Sequence, residues 1–218
     1  MSRALGEQIR DQAVKYWHAD NGDNTHSLDH ENLNKESLVV DFGGYKGEWA
    51  QQIFDRYGCF IEIYEPGSSF AQEIKERFKE HLGNKITVKE FAVGLFDGRA
   101  NMFMAGPAST VKKNDEGQVQ VVSAAPIFSN RKVDLLKMNI EGGEYDTFES
   151  LFQNNLISNI TSILVQFHPI DDMSIEKYNT IASQLSKTHE CVFKYPFIWE
   201  KWHLRNAAQA SSAEVEKY

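Results

Sequence analysis

Two carboxylates and a glycine-rich turn carry the clearest chemistry in this sequence. The segment 39–47 reads Val-Val-Asp-Phe-Gly-Gly-Tyr-Lys-Gly, so an apolar run ends in Asp41 and three glycines follow. Glycines let the backbone turn sharply and lie close to a ligand. Glu65 ends the next apolar run, where its carboxylate can accept hydrogen bonds from both hydroxyls of a ribose. The pattern predicts a site for an adenosine-type cofactor, and the alternative is an ordinary strand-to-helix connection.

The spacing of the glycines indicates which cofactor fits. The dinucleotide fingerprint has glycine at its first, third and sixth positions, so that a diphosphate can lie on a helix N-terminus. Here Phe42 takes the first position after Asp41, so a diphosphate would meet a carboxylate and a nicotinamide-dependent oxidoreductase is disfavoured. S-adenosylmethionine has no phosphate, and Asp41 can help to hold its ammonium through water. We therefore predict S-adenosylmethionine, with contacts from Asp41, Gly43, Gly44, Tyr45, Gly47, Glu65 and Pro66.

Apolar runs alternate with amphipathic segments along most of the chain. Such alternation is typical of an α/β fold with a doubly wound, mostly parallel sheet covered by helices on both faces. We predict seven strands, with an antiparallel final strand, and a ligand site at the carboxyl ends of the strands where the strand order reverses. The predicted strands are 38–41, 59–64, 86–91, 133–139, 161–167 and a pair within 190–204, besides a hairpin near 100–104 and 118–123. The predicted helices are 48–57, 68–80, 143–152 and 174–187.

The chain is long enough for one large core rather than for two domains. It has 218 residues, of which 41% are hydrophobic. We predict an N-terminal helix and polar cap over residues 1–36, a cofactor-binding domain over 37–206 and a C-terminal tail over 207–218.

Charge and apolar pattern exclude several classes of partner. The formal net charge of −8 would repel a phosphate backbone, and no basic cluster offsets it, so we predict no nucleic-acid partner. The first residues lack the apolar core of a signal peptide, and no apolar run reaches membrane-spanning length. We therefore expect a cytoplasmic protein without membrane insertion, while the sequence leaves the oligomeric state open.

Residues that bind metals or form disulfides do not cluster in the sequence. Only Cys59 and Cys191 are present, each in an apolar run, which is typical of buried small side chains rather than of a disulfide. His18, His26 and His30 lie in the polar cap without regular spacing, so we interpret them as surface residues. We predict no metal site.

Five motifs occur in order between about Leu38 and His168. They are Asp41–Gly47, Tyr64–Pro66, Phe91–Gly94 followed by Asp97-Gly98, Lys137–Glu144, and Gln166–His168. Together they resemble the motifs of the FkbM-type methyltransferases, which are class I S-adenosylmethionine-dependent enzymes, many of which methylate hydroxyls of sugars or sugar-bearing natural products. The Lys-x-x-x-Glu-Gly-x-Glu run before a strand that ends in His is the family-specific part.

The resemblance implies an O-methyltransferase that acts on a hydroxyl of a sugar or glycan precursor. It also implies that Phe91, Ala92 and Val93 form an apolar wall against the adenine. The family usually has Asp at position 139 and often Glu at position 166, where this chain has Asn139 and Gln166. Asn139 can still accept a hydrogen bond from the cofactor's ammonium, so we expect cofactor binding to survive. The alternatives are a cofactor-binding protein with impaired catalysis and a methyltransferase for a non-sugar small molecule.

A neutral hydroxyl is a poor nucleophile, so a general base is expected beside it. Asn139 and Gln166 cannot serve, and we predict His168, which titrates near neutrality and ends a strand next to the cofactor site. Alternatively, His168 only hydrogen-bonds the loop before Pro169.

Lys137, Asn139 and Glu141 alternate along the predicted strand and are expected on one side of it. We predict that Glu141 binds substrate hydroxyls or orients His168. Lys137 either neutralises Glu141, binds an acidic sugar, or belongs to a buried ion pair that braces the sheet. Glu144, in the first turn of the next helix, is assigned a structural role.

Overall fold

Eleven strands form two sheets in the part of the chain that the structure describes. The computed structural model describes residues 3–103, 110–113 and 119–205. The strands are β1 (Leu38–Phe42), β2 (Phe60–Tyr64), β3 (Ile86–Lys89), β4 (Ala92–Gly94), β5 (Gly98–Phe103), β6 (Thr110–Lys113), β7 (Val119–Ser123), β8 (Val133–Met138), β9 (Ile160–Val165), β10 (His189–Tyr195) and β11 (Trp199–Leu204).

The main sheet has seven strands in the order β10-β11-β9-β8-β1-β2-β3. Neighbouring strands are parallel except at β11, which is antiparallel to both β9 and β10. The strand order reverses at β1, which lies between β2 and β8. The prediction of a mostly parallel seven-stranded sheet with an antiparallel final strand is confirmed.

Helices cover both faces of this sheet, as predicted. They are α1 (Arg3–Ala19), α2 (Glu48–Tyr57), α3 (Ser68–Arg77), α4 (Ala125–Phe128), α5 (Gly143–Gln153) and α6 (Ser174–Leu185). Successive side chains of a strand point to opposite faces of the sheet, so the central strands contribute side chains to two separate apolar cores. Side chains of α5 and α6 pack with Val40, Leu136 and Ile163, whereas those of α2 and α3 pack with Val39, Leu135 and Leu164.

A second, four-stranded sheet has the order β4-β7-β5-β6. The antiparallel pair of β5 and β7 corresponds to the predicted hairpin, and β4 joins it as a parallel neighbour of β7. The predicted strand 86–91 is therefore too long, since β3 ends at Lys89 and β4 begins at Ala92. The predicted helix 68–80 likewise ends earlier, at Arg77.

The polar cap between α1 and β1 is hydrogen-bonded to α2. The indole Nε1 of Trp49 donates to the carbonyl of Ser27 (2.9 Å). The hydroxyl of Tyr57 donates to the carbonyl of Leu28 (2.9 Å). The predicted tail 207–218 lies outside the described residues. Among the residues that the structure describes, no helix has the length and apolar character needed to span a bilayer.

Two expectations about single residues are wrong. His30 is buried rather than at the surface, and burial lowers its pKa to about 3. Cys59 is buried as predicted, but Cys191 is exposed because β10 is the edge strand of the sheet.

Candidate active site

The glycine turn and the second carboxylate meet at the edge of the sheet where β1 and β2 end. The backbone amide of Tyr45 donates to Oε2 of Glu65 (2.8 Å), and the amide of Gly67 donates to Oε1 (2.8 Å). Each oxygen keeps a second lone pair for a ligand. Burial raises the pKa of the Glu65 carboxyl. The structure thus places Glu65, followed by Pro66, directly against the turn.

Glycine is required at two positions of the turn. Gly43 has a left-handed backbone (φ 82°), and a Cβ there would lie 2.0 Å from the backbone oxygen of Asn139. A Cβ on Gly44 would lie 2.3 Å from Cγ2 of Ile63. Tyr45 and Gly47 also have positive φ angles, so the chain reverses tightly before α2 begins. The small residues bring the turn into contact with the loop after β8.

A buried ion pair lies beneath the turn. Asp41 and Lys137 are partners in register on the parallel strands β1 and β8, so their side chains share one face of the sheet. The ammonium of Lys137 lies 2.9 Å from Oδ1 of Asp41 and donates to the carbonyl of Gly43 (2.7 Å). Oδ2 of Asp41 is buried and has no hydrogen-bond partner among the described residues.

Lys137 therefore does not neutralise Glu141. Of the three predicted roles, the structure matches the buried ion pair that braces the sheet. At 5% exposure Lys137 is also too deep to meet a sugar. The indole of Trp49, which was not predicted, also lies near Lys137, with the ammonium 5.6 Å from the ring centroid. Trp49 lies in the first turn of α2, directly after the glycines, and only this position in the sequence could have identified it as a residue of the site.

The chain does not stay extended from Lys137 to Glu141, contrary to the prediction. β8 ends at Met138, and Glu141 and Gly142 both have positive φ angles (54° and 106°). The resulting loop packs between the glycine turn and the second sheet. A Cβ on Gly43 would lie 3.1 Å from Cγ2 of Ile140, and one on Gly143 would lie 3.5 Å from the carbonyl oxygen of Val93.

His168 lies between two carboxylates after β9. Its Nδ1 is 3.0 Å from Oε1 of Glu144, and its Nε2 is 3.2 Å from Oε1 of Glu141. Glu144 is fully buried and also accepts hydrogen bonds from the amides of Ile140 (2.9 Å) and Gly142 (2.8 Å). Glu144 thus joins the loop after β8 to His168.

The general-base role predicted for His168 does not fit these contacts. Burial alone would lower its pKa, but the charges of Glu144 and Glu141 outweigh burial and raise the pKa to about 10. At neutral pH the imidazole is then protonated and cannot take a further proton. The alternative, that His168 only hydrogen-bonds the loop before Pro169, does not describe its ring either, because both ring nitrogens face carboxylates.

The predicted adenine wall is divided between two elements. Ala92 and Val93 are buried in β4, and Phe91 precedes them as a partly exposed residue outside either sheet. Ala92 and Val93 thus belong to the second sheet rather than to the end of β3, and their contact with adenine stays a prediction. Within the described ranges, no group of three or more His, Cys, Asp or Glu side chains could hold a metal ion.

A comparison of the sequence with protein-family models decides what kind of protein this is. The model of the methyltransferase FkbM domain matches residues 41–195, which is more than half of the chain. The chain belongs to the FkbM methyltransferase family. It is therefore an S-adenosylmethionine-dependent methyltransferase, in agreement with the resemblance of its motifs.

Solved structures similar to this FkbM methyltransferase share little sequence with it. An rRNA methylase from Streptococcus thermophilus is 9% identical, with a TM-score of 0.49, covering 81% of this chain and 91% of its own. The fibrillarin pre-rRNA processing protein of Methanococcus jannaschii is 13% identical (TM-score 0.48, 81% and 70%). A methyltransferase from Thiobacillus denitrificans in complex with S-adenosyl-L-homocysteine is 17% identical (TM-score 0.39, 64% and 44%). No curated protein sequence matches the chain significantly.

The residues at the carboxyl ends of the central strands fit the cofactor of the family. Oδ1 of Asn139 is buried without a hydrogen-bond partner in the described part of the chain, as is Oδ2 of Asp41. Buried acceptors without a donor are uncommon in proteins, and the ammonium of S-adenosylmethionine is a donor of the required kind. Glu65 offers its remaining lone pairs to the ribose hydroxyls. Whether these residues bind the cofactor stays a prediction.

Proposed function

We propose that this FkbM methyltransferase transfers the methyl group of S-adenosylmethionine to a hydroxyl oxygen of a sugar or glycan precursor. The observation that carries the proposal is the contact between Glu141 and His168, at the same edge of the sheet as the cofactor residues. Their side chains are 18% and 13% exposed, so a ligand can reach them. Glu141 belongs to the loop that packs against Gly43, and His168 contacts this loop.

The pair has the hydrogen-bonding character that a hydroxyl-rich acceptor needs. A sugar hydroxyl both donates and accepts hydrogen bonds. The carboxylate of Glu141 can accept from such a hydroxyl, and the protonated ring of His168 holds that carboxylate by donating to its Oε1. A hydrogen bond to a charged group is about twice as strong as one between neutral groups. The pair can therefore hold a hydroxyl in one orientation.

Positioning is the main task of the protein in this reaction. When bound, S-adenosylmethionine supplies a methyl group whose bond to the positively charged sulfur breaks as the acceptor oxygen attacks, leaving the electron pair on a neutral sulfur. Holding the two reactants in line can supply about 7–11 kcal/mol of the barrier. Glu65, Asp41 and Asn139 would fix the cofactor, and Glu141 would fix the acceptor.

The acidic character of the chain supports a small acceptor rather than a nucleic acid. The net charge is −8, and the two carboxylates around His168 add negative charge at the site itself. An uncharged hydroxyl compound is not repelled by this charge.

The test measures cofactor binding and methyl transfer separately. Calorimetry with S-adenosylhomocysteine should show binding to the intact protein, and Glu65→Ala should weaken it. Isotope-labelled S-adenosylmethionine is then offered with a panel of sugars, nucleotide-linked sugars and oligosaccharides, and the methylated atom is located by NMR. We expect an O-methyl sugar. Methyl transfer to nitrogen or carbon, or only to non-sugar hydroxyl compounds, would contradict the proposed acceptor.

A further inference from the structure

We propose that Glu141 takes the proton of the acceptor hydroxyl, while His168 and Glu144 act as positioning residues that hold Glu141 in place. This inference rests on the proposed function, because it concerns the site where the acceptor hydroxyl binds. The three side chains form one chain of contacts.

The chain of contacts begins at Glu144, which no solvent reaches. Both of its oxygens are used: Oε1 accepts from the amide of Ile140 and faces Nδ1 of His168, and Oε2 accepts from the amide of Gly142. A carboxylate with three such contacts is held in one rotamer. Glu144 thereby fixes the position of the loop and the plane of the His168 ring together.

His168, held by Glu144, in turn holds the side chain of Glu141 in place. With Nδ1 directed at Glu144 and Nε2 directed at Glu141, each ring nitrogen faces a carboxylate oxygen. A neutral imidazole would place one lone pair against a negative oxygen, whereas an imidazolium donates to both. Among the described residues, Glu141 and Glu144 are the charged groups that act on His168. Since neither nitrogen is free to accept, His168 cannot receive the proton.

Glu141 is the remaining acceptor at this place. Its backbone has φ 54°, a conformation that a non-glycine residue rarely adopts and that surrounding contacts must maintain. Here the bonds of Glu144 to the two flanking amides, at Ile140 and Gly142, maintain it. Oε1 of Glu141 faces His168, and no partner of Oε2 occurs within the part of the chain that the structure describes. The strained backbone therefore brings Oε1 of Glu141 to His168, which leaves Oε2 to accept a proton.

The proton balance of the step is simple. The O–H bond of the acceptor breaks, its electron pair stays on the oxygen that receives the methyl group, and the proton binds Oε2 of Glu141. Glu141 becomes neutral while His168 and Glu144 keep their charges. Because the side chain of Glu141 is partly exposed, the proton can then leave to water.

The first experiment needs no turnover. The ring nitrogens of His168 are observed by NMR in ¹⁵N-histidine-labelled wild-type protein, with His168→Gln used for assignment. We expect both nitrogens to stay protonated between about pH 6 and 9. Glu144→Gln and Glu141→Gln should each allow deprotonation at lower pH, whereas Glu149→Gln, an exposed change on the same helix, should not. A neutral His168 ring in the wild type at pH 7 would overturn the proposal.

The second experiment separates the roles by kinetics. Glu141→Gln should lower the rate of methyl transfer by roughly a hundred- to ten-thousand-fold, while S-adenosylhomocysteine affinity stays within about threefold of the wild type. Glu141→Asp should restore part of the rate. His168→Gln should lower the rate less, because the proton acceptor is retained. Equal rates for Glu141→Gln and the wild type, with loss only in His168→Gln, would assign the base role to His168 instead.

The two proposals fail in different ways. If the wild type does not bind S-adenosylhomocysteine, or methylates only non-sugar compounds, the proposed function fails. The protonation state of His168 and its dependence on Glu144 are measured in the protein alone, so they decide the present inference independently.

Discussion

The ammonium of Lys137 lies 2.9 Å from Oδ1 of Asp41, across two parallel strands that are neighbours in the sheet. Both side chains are almost completely buried, and the same ammonium donates to the carbonyl of Gly43. The pair therefore ties the end of β1, the glycine turn and the end of β8 into one unit. Removing one partner leaves the other charge buried and uncompensated.

Lys137→Met should destabilise the protein by about 3–5 kcal/mol, because the charge of Asp41 remains buried. Urea unfolding measures the change. The double variant Asp41→Asn, Lys137→Met should recover part of the loss, since no charge is then left without a partner. The matched control is Lys177→Met, which removes an exposed pair with Asp171 and should change stability by no more than about 1 kcal/mol. Similar losses in both lysine variants would contradict the buried pair.

Gly43→Ala compared with Gly83→Ala separates a steric requirement from backbone strain. Both glycines have left-handed backbones (φ 82° and 74°), but a Cβ on Gly83 meets nothing within 4 Å. Gly83→Ala should lower stability by about 1–2 kcal/mol and leave S-adenosylhomocysteine affinity unchanged. Gly43→Ala forces the turn away from Asn139, so we expect a larger loss of stability and a loss of affinity, measured by calorimetry. Equal effects of the two changes would show that the close approach of Gly43 to Asn139 matters neither for stability nor for affinity.

The fold could be predicted from local patterns in the sequence. Apolar runs of strand length, such as Val39-Val40, alternate with helical segments, and this alternation has few solutions other than a parallel sheet covered on both faces. The glycines after Asp41 and the acid at the end of the next run indicated the edge of the sheet that holds the site. The small second sheet was predicted only as a hairpin, because β4 has three residues and depends on pairing with a distant strand.

The partners within the site could not be predicted in the same way. Lys137 faces Asp41 because of the register between β1 and β8, which is set by packing across the sheet and not by either segment alone. Glu141 was expected to follow the alternation of the strand, but its left-handed backbone redirects the side chain to His168. That conformation depends on the hydrogen bonds that the amides of Ile140 and Gly142 donate to Glu144, so the glycine at position 142 was the only local signal for it in the sequence.

The stability of the protein should fall as the pH rises through the range in which His168 titrates. Burial opposes the shift, but Glu144 and Glu141 raise the pKa of His168 from 6.5 to about 10 in the folded protein. The folded state then binds a proton that the unfolded chain has lost, so the stabilisation is complete below pH 6.5 and disappears as pH approaches 10. The slope is at most about 1.4 kcal/mol per pH unit.

Urea unfolding at several pH values measures this slope. His168→Gln should remove the contribution, and the difference between wild type and variant should shrink steadily with rising pH. His203→Gln replaces a histidine that faces the hydroxyl of Ser162 rather than a carboxylate, and it should retain the wild-type decline. A constant difference between the wild type and His168→Gln would show that the ring is not protonated in the folded state.

Asn139→Asp tests whether position 139 meets the ammonium of the cofactor. Oδ1 of Asn139 is buried without a partner in the described part of the protein, so a carboxylate there adds a buried charge. Without ligand we expect a loss of at least about 1–3 kcal/mol in stability. With S-adenosylhomocysteine the ammonium compensates the new charge, so affinity should increase. The control Asn179→Asp, at an exposed position on α6, should change neither quantity. Opposite signs for stability and affinity in Asn139→Asp are the informative result, because a side chain that only braces the loop would lower both.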